Sequence, residues 1–191
     1  LDAVVVYEEL GRSLVPSPHF VSSVVAAGIL DGAGSDDQRS TWLSRIASGE
    51  AVLSVAWLEP DNSSGPSGVQ MAAVPDGDGF VLSGTKRHVP YASSADRLVV
   101  LARTGAADGG AEAIDLFLVD PAGEGVTLTL QPTVAGDTQY RVDFDGVRVE
   151  ATDRIGGAGT GWDTWSKVMA DAIVLVAAQA VGAAEATPGT A

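Results

Sequence analysis

Ser54-Val55-Ala56-Trp57-Leu58-Glu59-Pro60 and Ser83-Gly84-Thr85-Lys86-Arg87-His88-Val89-Pro90-Tyr91 are the two segments around which the chain is organised. Both lie between Ala51 and Val149, where apolar and polar residues alternate with a period of two, as in half-buried strands. Short strands joined by turns rich in Gly and Pro, with no helical segment between them, favour an antiparallel barrel or sandwich. The middle of the chain is therefore predicted to be a β-domain.

Individual strands can be predicted within this region. Asp76-Gly77-Asp78-Gly79 predicts a tight hairpin turn, because its glycines tolerate the positive φ that such turns need. Met71 to Val74 and Phe80 to Leu82 are the strands on either side. Apolar runs predict two further strands, at residues 97–103 and 114–119. Alternation of apolar and polar residues predicts two strands with one exposed face, at residues 126–130 and 140–144.

Helical periodicity is found on both sides of the β-domain. The first helix is predicted within residues 1–14, ending at Gly11 or shortly after, with Ala3, Val6, Tyr7, Leu10 and Leu14 on one helical face. A second runs from the cap Ser17-Pro18 to about Leu30, and a third from the capping box Ser35 to Gln38 as far as Gly49, with Trp42, Leu43 and Ile46 buried. After Gly161 a long helix is predicted, with one stripe of Trp162, Trp165, Val168, Met169, Ala172, Ile173 and Val176.

The resulting fold class is α+β. Residues 1–50 are predicted to be the end of a helical domain, residues 51–155 an antiparallel β-barrel or sandwich, and residues 156–191 the first helix of a bundle. Because the chain opens inside a helix without Met or a cap, we expect that the sequence begins partway through a larger protein. Gly157 to Gly161 has the wrong spacing for a dinucleotide loop and is read as a hinge.

Composition excludes several function classes. The 25 acidic and 11 basic residues give a formal charge of −14, which repels phosphate backbones and anionic lipid headgroups, so nucleic acid and membranes are not expected as partners. No apolar run was expected to reach the ~20 residues of a membrane span. The chain has no cysteine, which fits a reducing, cytoplasmic location. With only His19 and His88, a metal site is not expected.

Several short sequence motifs, written as words below, resemble those of the acyl-CoA dehydrogenase family in their order along the chain. The resemblance is distributed over most of the sequence, and the joint order of the motifs is more specific than any one of them. The words are Glu8-Glu9-Leu10-Gly11-Arg12, Ile46-Ala47-Ser48-Gly49-Glu50, Leu58-Glu59-Pro60, Leu82-Ser83-Gly84-Thr85-Lys86, Ser94-Ala95-Asp96-Arg97 and Val142-Asp143-Phe144-Asp145-Gly146-Val147-Arg148-Val149.

The resemblance implies a flavoprotein that oxidises an acyl-CoA thioester at its α and β carbons, with FAD accepting the hydride. The FAD would lie between the β-domain and the C-terminal bundle. Ser64 stands at a substrate-binding position of the family. The catalytic glutamate of the family lies downstream of this sequence, so no catalytic residue is expected here. The cofactor-binding positions implied by the resemblance are Val55, Trp57, Leu58, His88, Val89 and Pro90.

The sequence also departs from the family pattern. His88-Val89-Pro90 stands where the family often has Trp-Ile-Thr, so the threonine hydroxyl is missing, and Asp61 to Gly65 loses a glycine and an aspartate around Ser64. Trp57 stays open between a core aromatic and a flavin neighbour, and His88 alone reads as an ordinary strand histidine. The alternative function is a non-catalytic subunit that keeps the fold. Either reading implies an oligomer with identical or related subunits, and the acyl group and electron acceptor stay open.

Overall fold

The computed structural model describes residues 2–61, 63–134 and 136–187. Three helical elements come first: α1 (Asp2–Arg12), a π-helical segment (Phe20–Ala26) that continues directly into α2 (Ala27–Ala33), and α3 (Asp36–Ser48). The predicted capping box is confirmed. The Ser35 hydroxyl accepts from the Gln38 amide at 3.2 Å, the Gln38 side chain accepts from the Ser35 amide at 3.1 Å, and Gly49 ends α3 with φ of 78°.

Eight strands follow within the described part of the chain, and they form a single sheet. The hairpin at Asp76 to Gly79 is confirmed, since these two residues pair directly and Gly77 has a φ of 62°. The long helix α4 (Gly161–Ala186) comes after the last strand. The strands are β1 (Leu53–Ala56), β2 (Ala72–Asp76), β3 (Gly79–Pro90), β4 (Arg97–Arg103), β5 (Ile114–Val119), β6 (Val126–Gln131), β7 (Gln139–Glu150) and β8 (Arg154–Ile155).

The sheet is mixed and open, which corrects the expectation of an antiparallel barrel or sandwich. Along the order β6-β7-β3-β2-β4-β5-β8 the pairs are antiparallel except for one parallel bridge between β2 and β4, and β1 pairs with β4 in parallel. β3 runs antiparallel to β2, and the chain reverses again after β3. As a result, β4 runs in the same direction as β1. All four residues of β1 are buried, as is usual for a strand paired in parallel. The α+β order of helices, sheet and helix is confirmed.

Two apolar clusters form the core. Because successive side chains of a strand point to opposite faces, β4 contributes to both: Val99 and Leu101 to one cluster, Leu98 and Val100 to the other. The first cluster holds the helices against the sheet, through residues such as Val25, Ile29, Trp42, Leu53, Ile155 and Trp165. The second lies on the other face and contains Leu82, Phe117, Val142, Phe144 and Val147.

The predicted apolar face of α1 is partly wrong. Tyr7 and Gly11 are the buried residues of α1, whereas Val6 is 51% exposed and Leu14, beyond the end of the helix, is 77% exposed. The reason is the close contact with α4. Gly11 faces the carbonyl of Gln179, and a Cβ at this position would lie only 1.9 Å from that oxygen. The interface is therefore set by backbone approach rather than by large side chains.

Helix α4 is buried only in part. Of its predicted stripe, Trp165 and Ala172 are buried, while Ile173 is 55% and Val176 is 40% exposed. Its mean hydropathy reaches 1.6, so by length and composition it could cross a membrane, contrary to the expectation above. A single helix of this kind is weak evidence for a membrane span.

Candidate functional site

The two predicted site segments lie side by side in the structure. The amide of Arg87 donates to the carbonyl of Leu58 at 2.8 Å, and the hydroxyl of Ser54 donates to the carbonyl of Pro90. These bonds join the end of β1 to the end of β3. The sheet thus presents both segments at one place, although they are far apart in sequence.

A β-bulge shapes the end of β3. The pairing of β3 with β7 shifts between Lys86 and Val89, and His88 takes a left-handed conformation with φ of 52°. The bulge is held by side chains from neighbouring strands: the His88 amide donates to Gln131 Oε1 at 2.9 Å, and His88 Nδ1 lies 2.9 Å from Gln139 Oε1. Tyr91 also has a φ of 52°, so the chain turns sharply just after the strand.

A buried ion pair fixes the segment after β1. Lys86 is completely buried and its Nζ lies 2.8 Å from Glu59 Oε1 and 3.3 Å from the Trp57 carbonyl. Burial lowers the pKa of Lys86 to about 8, against the opposing effect of Glu59. The Glu59 carboxylate also accepts from the amides of Gln70 and Met71, at 3.0 to 3.2 Å. Glu59 therefore braces the loop and is not free to act as a base.

The predicted cofactor residues differ in how accessible they are. Val55 and Val89 are buried, at 3% and 0% exposure, so their side chains serve the core. Trp57, Leu58 and Pro90 are half-buried and His88 is exposed, which leaves their side chains able to meet a ligand. The list of predicted residues is thus divided between core and surface.

Trp57 is shared between the sheet and α4. Its ring centroid lies 5.4 Å from that of Trp165, at an interplanar angle of 32°, so the indole packs on the last helix. This arrangement supports the core reading of Trp57 at least in part. Ser64, the predicted substrate-binding residue, is exposed in the loop after Pro60.

A cavity of about 640 Å³ lies beside the end of β3. Of the predicted site residues, only Pro90 lines it. Its apolar wall is built from Leu14 to Pro16, Phe20, Val21, Val134 and Val176, and its polar residues are Ser17, Tyr91, Asp137 and Gln179. A second cavity, of about 720 Å³, lies between α2 and α4 and contains no predicted site residue.

Sequence reasoning missed two residues of the cavity beside Pro90. Tyr91 belongs to a segment singled out above, but nothing in its spacing distinguished it. Asp137 follows Gly136 in a stretch that has the composition of an ordinary turn. Only the three-dimensional contact between the segments after β3 and before β7 brings the two together. No group of three metal-binding side chains lies among the residues that the structure describes.

Two known domain families match the sequence of this chain. The N-terminal domain of acyl-CoA dehydrogenases matches residues 1–50, and the acyl-CoA dehydrogenase middle domain matches residues 54–147. The chain belongs to the acyl-CoA dehydrogenase family. The resemblance recognised from the sequence is therefore confirmed.

Comparison with individual acyl-CoA dehydrogenases shows how much of their length this chain covers. It is 30% identical over 196 residues to (2S)-methylsuccinyl-CoA dehydrogenase of Cereibacter sphaeroides, covering 95% of this chain and 36% of the relative. Butyryl-CoA dehydrogenase from Megasphaera elsdenii has the same fold, with a TM-score of 0.88 at 23% identity, over 96% of this chain and 49% of the other.

The ChsE4-ChsE5 complex from Mycobacterium tuberculosis is also similar. It matches with a TM-score of 0.79 at 26% identity, over 88% of this chain and 44% of the other. The chain thus spans less than half the length of each of these three proteins. The assignment of Val55, Trp57, Leu58, His88, Val89 and Pro90 to FAD, and of Ser64 to substrate, stays a prediction.

Proposed function

We propose that this chain forms the β-domain wall of a flavin pocket in an enzyme that dehydrogenates an acyl-CoA thioester at its α and β carbons. The observation that carries the proposal is the junction of residues 54–60 with residues 83–91, made by the bonds from Arg87 to Leu58 and from Ser54 to Pro90. Membership of the acyl-CoA dehydrogenase family supports FAD as the cofactor.

The residues at this junction fit a flavin in part. Trp57, Leu58 and Pro90 offer half-buried apolar surface, and the cavity beside Pro90 is bounded by both the sheet and α4. FAD would supply the hydride acceptor. The chain's own residues would orient the ring and exclude water: Phe20, Val21 and Val176 form the apolar wall, and the Lys86–Glu59 pair keeps the segment after β1 in place.

The α-proton has to be removed by a base, and Glu59 does not fit that role. Glu59 is the one glutamate of the two site segments, and its oxygens are occupied by Lys86 and by the amides of Gln70 and Met71. A general base must come within hydrogen-bond reach of the proton it removes. We propose that the base lies in the half of the enzyme that this chain does not span.

The test combines the chain with FAD, a series of acyl-CoA substrates and an artificial electron acceptor. No turnover is expected from the chain alone, and turnover is expected once the remaining half of an acyl-CoA dehydrogenase is joined to it. FAD added to the chain should bind weakly and be lost on dialysis, because few of its contacts come from the β-domain. Turnover by the chain alone, abolished in Glu59→Gln, would show that the base has been placed in the wrong half.

A second candidate is a non-catalytic subunit that keeps the fold and pairs with a catalytic relative. Two observations favour it: Pro90 provides no hydrogen-bond donor at a position that the family resemblance assigns to the flavin, and a solved neighbour is a complex of two proteins, ChsE4 and ChsE5. If the completed chain gains neither flavin absorbance nor turnover, but binds a related subunit, this function is the correct one. A cytoplasmic location is proposed for either case.

A further inference from the structure

One residue that lines the cavity beside Pro90 has a buried carboxylate oxygen without a hydrogen-bond partner in the described part of the chain. Asp137 lines the cavity, and its Oδ1 is buried and accepts no hydrogen bond in the described part of the chain. The other oxygen, Oδ2, accepts from Gln139 Nε2 at 3.0 Å. A buried acceptor left unpaired is costly, and native structures contain few of them. A ligand that donates a hydrogen bond to Oδ1 would explain this unpaired acceptor.

The surroundings hold Asp137 in position. Gln139 donates to Asp137 through Nε2, and its Oε1 lies 2.9 Å from His88 Nδ1 at the bulge of β3, so the three side chains form one hydrogen-bonded series. Tyr91 lines the same cavity, and its pKa is raised by burial and by the charge of Asp137. Asp137 and Tyr91 therefore both belong to the polar part of the cavity lining.

We propose that Asp137 makes this cavity selective for a ligand that has an apolar body and presents an O–H or N–H group to the carboxylate. The apolar wall of Phe20, Val21 and Val176 would hold the body of the ligand. A small rotation about χ2 of Asp137, a broad torsion, opens Oδ1 to the cavity while Oδ2 keeps its hydrogen bond from Gln139. A ligand without a donor leaves this oxygen unpaired and binds less tightly.

Two sources within the proposed function offer this chemistry: the imide N–H of a flavin ring, and a hydroxyl on the acyl group of a substrate. The inference rests on the proposed function only for these two sources. The selectivity itself is a property of the cavity, so its test does not need turnover.

The experiment measures binding by titration calorimetry to two matched pairs of probes. One pair is riboflavin and its N3-methyl derivative, and the other is para-butylphenol and its methyl ether. In each pair only the second member lacks the donor. The chain is compared with Asp137→Leu, which removes the acceptor, with Asp137→Asn, which keeps an acceptor without the charge, and with the control Asp108→Leu at an exposed position outside the cavity.

The unsubstituted chain and Asp108→Leu should bind the donor-bearing member of at least one pair about tenfold more tightly than its methylated partner. The preference should vanish in Asp137→Leu and shrink in Asp137→Asn. Preference within the riboflavin pair alone identifies the flavin as the source, and preference within the phenol pair alone identifies a hydroxylated acyl group. Equal binding within both pairs, no binding of any probe, or a preference that survives in Asp137→Leu would overturn the inference.

If FAD binds but the methyl group makes no difference, the proposed function stands and the role of Asp137 fails. If the preference is found but the chain never supports turnover, even with the missing half restored, the role of Asp137 stands and the proposed function fails. Thermal unfolding of each variant shows whether a lost preference reflects a lost fold, in which case Asp137→Asn alone decides.

Discussion

At the residue scale, the pair of Lys86 and Glu59 shows how this fold holds charges in its interior. Lys86 has no exposed surface, and Glu59 is 8% exposed. Taking two charges out of water is expensive, and their mutual attraction compensates only when further hydrogen bonds satisfy the remaining atoms. Here the amides of Gln70 and Met71 and the carbonyl of Trp57 supply those bonds. The pair therefore ties three separate segments of chain together.

Lys86→Met should destabilise the chain strongly, because it leaves the Glu59 carboxylate buried without a cation. Removing one partner of a buried pair typically costs about 3–5 kcal/mol of unfolding free energy. The double variant Lys86→Met with Glu59→Gln should recover part of that loss. Urea unfolding monitored by tryptophan fluorescence is the measurement. Lys167→Met, at the exposed other lysine, is the control and should change little. An additive double variant would show that the two side chains do not interact.

The same lysine predicts how stability changes with pH. Its folded pKa is lowered to about 8 from 10.5, so between these values the unfolded chain binds more protons than the folded one. Stability should therefore rise with pH through this window, and Lys86→Met should flatten the rise. Tyr7 acts in the opposite direction. Burial raises its pKa from 10.0 to about 12, so the folded state keeps a proton that the unfolded state loses, and stability should fall across that range.

Urea midpoints measured across both windows, for the unsubstituted chain, Lys86→Met and Tyr7→Phe, separate the two effects. Tyr7→Phe should lessen only the fall at high pH. It also removes the 2.9 Å hydrogen bond between the Tyr7 hydroxyl and His19 Nδ1, so its midpoint at neutral pH should be lower than that of the unsubstituted chain. If the urea midpoint of Lys86→Met still rises across the lower pH window, another titrating group causes the rise.

At the scale of elements, the contact between α1 and α4 depends on glycine. The two helices run antiparallel, since Gly11 faces Gln179 and Gly182 faces Glu8. A Cβ on either glycine would come within 2 Å of a backbone oxygen of the other helix, at 1.9 Å for Gly11 and 1.8 Å for Gly182. The absence of side chains at these two positions allows the helices to approach each other so closely.

Gly11→Ala should push the two helices apart. Overpacking of this kind costs about 1–3 kcal/mol. Gly32→Ala in α2 is a matched control, because a Cβ there would meet nothing within 4 Å, and alanine is the better helix former by about 1 kcal/mol. Circular dichroism during thermal unfolding should give a lower midpoint for the first variant and an equal or higher one for the second. Equal midpoints for Gly11→Ala and the unsubstituted chain would show that α1 is not docked on α4 in solution.

The same elements show what the sequence could predict. Signals that act over a few residues were reliable: the capping box of Ser35 and Gln38, the hairpin at Gly77, the apolar runs of β4 and β5 and the alternation of β6 and β7 all correspond to observed structure. The parallel pairing of β1 with β4 was missed, because strand direction depends on a connection of forty residues rather than on periodicity. The α1 face was misjudged for a related reason, since a contact through glycine leaves no apolar pattern.

The candidate site follows the same division. The order of the family motifs predicted that residues 54–60 and 83–91 lie at one site, and hydrogen bonds join the two segments in the structure. Which side chains face a ligand could not be predicted, because the bulge at His88 reverses the alternation of β3 and buries Val89. The role of Asp137 depends on contacts between distant turns and has no local signal.

At the scale of the whole molecule, the chain leaves a large apolar surface on its helices. Ile173, Val174 and Val181 of α4 are 55%, 54% and 49% exposed, and Val5 and Val6 of the adjacent α1 are 58% and 51% exposed. Large apolar side chains that are exposed on neighbouring helices can mark interaction sites. The chain also spans less than half of the relatives described above, which include a complex of two proteins.

We therefore expect the chain to associate in solution through α1 and α4. Multi-angle light scattering during size exclusion should give a mass above 19.4 kDa that rises with protein concentration. Val174→Lys combined with Val181→Lys should return the chain to a monomer, because a charge in the centre of an apolar contact has to be desolvated without a partner. Val74→Lys, at a residue of β2 that is 58% exposed and lies outside α1 and α4, is the control and should leave the mass unchanged. A monomer at every micromolar concentration of the unsubstituted chain would contradict the expectation. An equal loss of mass in the Val74→Lys control would instead place the contact on the sheet.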